Sequence, residues 1–450
     1  MNYTSVSVSA HQHTIGFSLK QKFALSMVAI GLLAMMIYSL NFGIENANKW
    51  LIFSLTAIST GSIWYTFEVY KTTLPGIKNN GVWFSSLSSR GMVAWILGIF
   101  LTGFYVVLYW FPNLLGLGYD GLSNKGLVGL FDPLSRLFKG KPASEWFVYG
   151  ALYTLTILLL GIKFIYKYRH NRYQVYRTCS IIFFQTAIAF ILPEILQSLQ
   201  LPYYDFKNIW PLNYYFFFDW NIKAMLEAGT FGYFMLFWGI LSFLVFTPIL
   251  TYFFGKRWYC SWVCGCGGLA ETAGDSFRQL SDKSLKAWKI ERWMVHSVLV
   301  FVVVMTLFVL LAQMGGLPEI FKGIGGTLST IYGFLIGAAF SGVVGVGFYP
   351  ILGSRVWCRF GCPMAAYLGI LQRSKIKLPW IKKEKRLSKF RITTNGGQCI
   401  SCGNCSTYCE MGIDVRAYAQ RQEDIIRASC VGCGICSAVC PRGVLKLENK

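Results

Sequence analysis

With 450 residues, 54% of them hydrophobic and only 14% charged, the chain is too apolar for a soluble globular protein of its size and reads as a set of membrane spans. The formal net charge of +22 at pH 7 would suit nucleic acid, but the basic residues collect in alternate loops rather than in one domain, which excludes that partner.

Residues 1–20 are polar and bring His11 and His13 close together, a pair too sparse to specify a metal site. The first apolar run, at about 23–40, is flanked by Lys20 and Lys22 but lacks a small-residue cleavage pattern, so it reads as a retained span. Further runs lie near 50–70, 91–111, 146–166, 177–199, 230–254, 294–314 and 331–353, each about the 20 residues a helix needs to cross a bilayer. The expected fold is an all-α polytopic membrane protein of about eight transmembrane helices. The N-terminus, the loops at 71–90, 163–177 and 256–293 and the tail after 353 hold 34 of the 42 basic residues, and the opposite loops hold 8. Positive charge stays inside, so both termini are expected in the cytoplasm.

Between Tyr203 and Trp220 the loop at 200–229 holds ten aromatics, with Asp205 and Asp219 among them. Such a loop reads as an aromatic belt at the outer interface; a quinone-head pocket is the sharper alternative. Glu194, beside Pro193 in the outer third of the fifth run, is a candidate proton carrier, because ionisable groups within spans are costly unless used. It also lies close enough to the interface to snorkel. Cys179, near the start of the same run, reads as a small packing residue.

A repeat marks the last four runs. Arg257-Trp258-Tyr259-Cys260 is followed by Cys264, and Arg355-Val356-Trp357-Cys358 by Cys362 and Pro363. Both read Arg-x-x-Cys-x-x-x-Cys and are expected to emerge on the cytoplasmic face. On a continuing helix, positions four apart share a face, so Cys260, Cys264, Cys358 and Cys362 together offer four thiolates. Those suit a third cluster or a tetrahedral metal, a redox dithiol, or structural thiols; Cys266 is a spare that could replace one ligand. The arginines would anchor at headgroups or lower the thiol pKa values. Residues 373–391 then hold nine Lys/Arg against Glu384 alone. That linker reads as a juxtamembrane segment on anionic lipid, with docking of an acidic soluble donor as the alternative.

The C-terminal stretch carries the strongest signal. Cys399-x2-Cys402-x2-Cys405-x3-Cys409 is followed, after twenty residues, by Cys430-x2-Cys433-x2-Cys436-x3-Cys440-Pro441. This is the bacterial ferredoxin run in two copies, in which the fourth cysteine of each run serves the other cluster. Cys399, Cys402, Cys405 and Cys440 are thus expected to hold one [4Fe–4S] cube, and Cys430, Cys433, Cys436 and Cys409 the second. Gly403, Gly432 and Gly434 let the backbone bend around each cube. Zinc usually takes two spaced pairs rather than two sets of four, and a disulfide framework does not suit a cytoplasmic segment.

Residues 230–450 resemble the NapH and NosR group of membrane polyferredoxins, on the two Cys-x3-Cys exits, Pro363 and the run Cys409-Glu410-Met411-Gly412-Ile413-Asp414. The resemblance implies a bacterial inner (cytoplasmic) membrane protein that passes electrons between the quinone pool, or a soluble cytoplasmic donor, and periplasmic reductases. It departs from that group at Gly265, where proline is usual, at the extra Cys266, and at Glu410, again in place of proline. The periplasmic flavin-binding domain of NosR has no counterpart before the spans. The chain also resembles accessory proteins of cytochrome oxidase assembly, which carry a C-terminal periplasmic domain not matched here.

Only four histidines occur, with no facing pair in the spans, which argues against haem, and there is no nucleotide fingerprint. The chain therefore divides into an N-terminal membrane region (1–229), a region with two thiol exits (230–372), a basic linker (373–394) and a double-cluster ferredoxin domain of α+β type (395–450). Two functions fit: an electron-transfer subunit, as in a quinol dehydrogenase, or a maturation factor that reduces a metal centre or thiol in another respiratory enzyme.

Overall fold

The computed structural model describes residues 17–40, 45–71, 90–119, 123–313, 319–373, 390–394 and 398–449. His11, His13 and most of the basic linker lie outside the described residues. Eight long helices make the frame: α1 (Leu19–Ser39), α2 (Ala47–Tyr70), α3 (Met92–Trp110), α4 (Glu145–Lys167), α5 (Arg172–Ser198), α6 (Gly229–Phe254), α7 (Leu285–Gln313) and α8 (Gly323–Val344). All but α2 are long and apolar enough to cross a membrane, so the chain is a multi-pass membrane protein. The weaker α2 carries Asn48, Lys49 and Glu68. It packs closely on α1, where a Cβ on Gly31 would lie 2.8 Å from Ile58 and one on Gly61 2.7 Å from the Ala24 carbonyl, the small-residue contact that lets membrane helices approach.

Local signals set the helix ends. Ser18 and Gln21 form a capping box at the start of α1, Ser144 caps α4 and Asn171 caps α5. Three spans contain π-type turns, at Phe184–Ile191, Ser242–Phe246 and Gly333–Val344. Such turns displace side chains from the regular helical face and are common at functional sites.

The ferredoxin module closes with an antiparallel pair, β1 (Phe390–Thr394) and β2 (Leu445–Asn449), in the register Phe390↔Asn449 to Thr394↔Leu445. Three one- or two-turn helices, Asn404–Thr407, Val415–Gln420 and Ile435–Ala438, lie between them. The module is packed onto the membrane part. One continuous core joins Cys260, Trp357, Cys358 and Cys362 at the exits with Met364 and Leu368 of the helix Pro363–Arg373, and with Ile392, Ile413 and Val431 of the module.

Candidate functional site

The ferredoxin cysteines fall into two groups in space. Cys399, Cys402, Cys405 and Cys440 line one small cavity, and Cys409, Cys430, Cys433 and Cys436 line another. Each group mixes three cysteines of one run with the fourth of the other, the crossed arrangement of two-cluster ferredoxins. Four thiols converging on one hollow fit an iron–sulfur cube. The hollow depends on Gly432, whose φ is +64 and whose Cβ would lie 2.6 Å from Arg257 and 2.8 Å from the Phe390 ring.

The two sites differ in setting. The first, outer site borders water: Cys402 is exposed, as are the nearby Arg416 and Arg442. The second, inner site faces the membrane part. Tyr173 Oη donates to the Gly432 carbonyl at 2.7 Å, Gln174 Nε2 to that of Cys433 at 2.9 Å, and Ser261 Oγ to that of Val431 at 2.8 Å.

The thiol exits do not continue as helices. Gly255 (φ +63) and Gly353 (φ +94) each turn the chain back five residues before the first cysteine, a shared signal that the cysteine repeat alone did not reveal. A short turn follows, and then the second cysteine is extended: Cys264 has ψ 133 and Cys362 ψ 111. In each exit its N–H bonds five residues back, Cys264 to the Tyr259 carbonyl at 2.8 Å and Cys362 to that of Trp357 at 2.9 Å. New helices then start at Gly265 and Pro363.

Nor does the first exit simply emerge at a membrane face. Gln185 Nε2 donates to the Val263 carbonyl at 2.8 Å, and Gln185 lies midway along α5, about 20 Å from either end at 1.5 Å per residue. From Cys264 the helix Gly265–Thr272 climbs back beside α5. Gly265 meets Gln185, Gly268 meets Ile181, and Glu271 Oε1 meets Arg177 Nη1 at 2.5 Å. The exit is therefore a re-entrant hairpin. It also explains Gly265: a Cβ there would sit 2.8 Å from Gln185 Oε1 and 3.0 Å from Tyr153 Oη, leaving no room for a proline ring.

Cys260, Cys264, Cys358 and Cys362 are all buried and share one core. Among the described residues no three of these thiols have sulfurs within 4.8 Å of one another. A tetrahedral zinc with Zn–S bonds of about 2.3 Å would need closer sulfurs. Arg355 is fully buried, with Nη1 3.7 Å from Cys358 Sγ, and Arg257 stacks 4.2 Å from the Phe390 ring centroid. Neither arginine serves as a headgroup anchor.

A cavity of about 620 Å³ opens beside the first exit, within the usual range for small-molecule sites. Cys264, Cys266, Tyr153 and Gln185 line one end, and Glu194, Lys139, Gln197 and Tyr203 also border it. Glu194 does not snorkel outward: its carboxylate pairs with Lys139 at 3.2 Å, and both side chains are buried. Lys139 comes from the helix Gly126–Lys139 in a loop that the sequence left unassigned. Cys179, expected to pack, is exposed on α5.

Much of the aromatic loop turns inward rather than lying as a belt, although Tyr203 and Trp220 stay exposed. Tyr204, Ile209, Trp210 and Phe216 are buried, and Tyr259 Oη donates to the Lys207 carbonyl at 2.9 Å. Trp238 Nε1 donates to the Phe206 carbonyl at 3.0 Å and Trp210 Nε1 to Thr306 Oγ1 at 3.3 Å. The loop folds inward because these bonds satisfy backbone and indole groups that a lipid setting would leave bare. Its Tyr203, Lys207, Tyr214 and Tyr215 form part of the cavity wall.

Comparison with known proteins agrees with the thiol geometry. A family described as a 4Fe-4S binding domain matches residues 236–284 and 333–387, which include both exits, and one described as a 4Fe-4S dicluster domain matches residues 390–444. The chain is 24% identical over 194 residues to the putative electron transport protein YccM of Escherichia coli (strain K12), a match covering 39% of this chain and 46% of that relative. The chain thus spans about half the length of the curated relative it matches. No solved structure matches.

Proposed function

We propose that the chain is an iron–sulfur electron conduit of the NapH and NosR kind, joining a soluble redox partner to a quinone bound in the membrane. The observation that carries this is the order of the sites. The water-bordered outer thiols lead to the inner thiols, these to the buried exit thiols, and Cys264 of the exits borders the 620 Å³ cavity. The two ferredoxin sets would hold [4Fe–4S] clusters, and Cys260, Cys264, Cys358 and Cys362 a third, with Cys266 as a neighbour rather than a ligand. When bound, such clusters supply one-electron chemistry. The protein supplies the rest: a tyrosine-rich chamber for an aromatic ring, and the Glu194–Lys139 pair to exchange protons with it.

Glu194→Gln removes the proton acceptor and keeps the shape. Quinone-linked turnover should fall about 100-fold, in the range of general acid–base effects, with iron content unchanged. Turnover within a factor of about two of the wild type would remove Glu194 from the proton path.

With α2 as the eighth span beside α1, the 34-to-8 asymmetry of basic residues orients the conduit with both termini and the outer site in the cytoplasm. A cytoplasmic reporter fused after Lys450 should be active, as should a periplasmic reporter placed near Lys125. A C-terminal fusion active only outside would reverse the orientation and exclude a cytoplasmic donor.

A further inference from the structure

Between the inner ferredoxin site and the exits lies a closed set of buried charges that no electron-transfer role has yet absorbed. Arg278 donates to Glu410 at 2.6 Å, to Glu271 at 2.5 Å and to Asp275 at 2.9 Å. Arg355 joins Glu271 at 2.6 Å and Glu410 at 2.9 Å. Arg177 pairs with Glu271, and Lys167 with Asp275 at 2.8 Å. Every one of these side chains is at most 2% exposed. Lys163 is also buried beside them, 3.4 Å from Ser276 Oγ, so at least four cations face three carboxylates and the excess is positive.

The inner site touches this box directly. Cys433 Sγ and one oxygen each of Glu271 and Glu410 lie within 4.8 Å of one another. Gln174, which donates to the Cys433 carbonyl, is itself held by Arg177 at 2.6 Å. The same trio of ligand atoms could suggest a metal, but guanidinium groups already engage both carboxylates. Around the outer site the arginines are exposed, where water and salt screen them.

We propose that this box sets the charge balance, and hence the reduction potential, of the inner four-thiol site, with Glu410 as the anion that trims the positive excess. This rests on the reading of Cys409, Cys430, Cys433 and Cys436 as iron–sulfur ligands. A cube on four thiolates is an anion, and reduction adds one more negative charge. Nearby net charge and solvent exposure are what tune such a centre. Burial disfavours the reduced state, the cationic excess opposes that effect, and Glu410 holds the excess down. Proline at this position, usual in the resembling group, would leave both Arg278 and Arg355 short of a carboxylate.

The test is a redox titration of the anaerobically purified full-length protein, reduced stepwise with dithionite and followed by low-temperature paramagnetic resonance. Glu410→Gln keeps the shape and removes the charge. A unit charge a few ångströms away at an effective dielectric of about 20 is worth more than tenfold in an equilibrium. The inner midpoint should therefore rise by at least about tenfold in the reduced-to-oxidised ratio, or ~59 mV for one electron, while the outer midpoint stays put. Glu410→Asp keeps the charge and should stay near the wild type. An unmoved inner midpoint, a fall, an equal shift of both centres, or an aspartate variant that follows the glutamine one would each overturn the proposal. If the glutamine variant fails to assemble, Arg355→Gln, which takes a cation from the box, should lower the inner midpoint, and an unmoved or raised inner midpoint there overturns the proposal. If both Glu410 variants fail alike, Glu410 is a packing residue and the proposal falls. Absence of iron and of any signal in the wild-type protein would instead refute the ligand reading beneath it.

Discussion

Cys358→Ser is expected to leave both ferredoxin clusters in place and to abolish their re-oxidation by added quinone. Cys358 is buried among Cys260, Cys264 and Cys362, and its sulfur lies 3.7 Å from Arg355, which also holds Glu410, the residue after Cys409. The exits thus lie between the inner thiols and the cavity. A serine oxygen is a poor substitute for a soft thiolate toward iron–sulfur groups. Iron should fall from about twelve per chain to about eight, the loss of one cube. The dithionite-reduced variant should then stay bleached when a short-chain quinone is added. Cys260→Ser should behave alike, because the two hairpins form one site. Wild-type protein with about eight irons, and unchanged re-oxidation in both variants, would make the exit thiols structural; loss in only one variant would make them independent dithiols.

The cysteine spacing made the module and the exits legible, since ligand geometry tolerates few other patterns. Hydropathy located the spans within a few residues at most ends, although α7 starts at Leu285, before the expected run at 294, and α8 runs Gly323–Val344 rather than 331–353. Depth was not legible. A Cys-x3-Cys pair looks the same whether it leaves a membrane or re-enters it, and only Gly255 and Gly353 hinted at the reversal. Aromatic content also cannot separate a belt from a buried loop, because Trp and Tyr suit both settings. The ion box was hidden for a different reason. Glu410 and Arg278 are 132 residues apart, and Arg177, Arg278 and Arg355 passed as ordinary positive charge at the inner face.

Those three arginines also determine the second large effect. Arg278→Ala should prevent the protein from accumulating as a folded species. Arg278 is fully buried and serves Glu271, Asp275 and Glu410 at once. Burial alone would raise the Asp275 carboxyl, yet Lys167 and Arg278 hold it well below the usual range, so it is charged when folded. Removing the arginine takes one partner from each of three buried carboxylates, which then share only Arg177, Arg355 and Lys167, and breaking one buried pair costs about 3–5 kcal/mol. Against a total stability of order 5–15 kcal/mol, one such loss is severe, and three carboxylates are affected here. Paired removal should cost less, since an unpaired buried charge is worse than none. Arg278→Met combined with Glu410→Gln should therefore recover part of the folded yield, with the coupling showing as strong non-additivity. Thermal melting in detergent and retained iron are the measurements. An Arg278→Ala protein that melts with the wild type and keeps all its iron would show that the box contributes nothing to the fold.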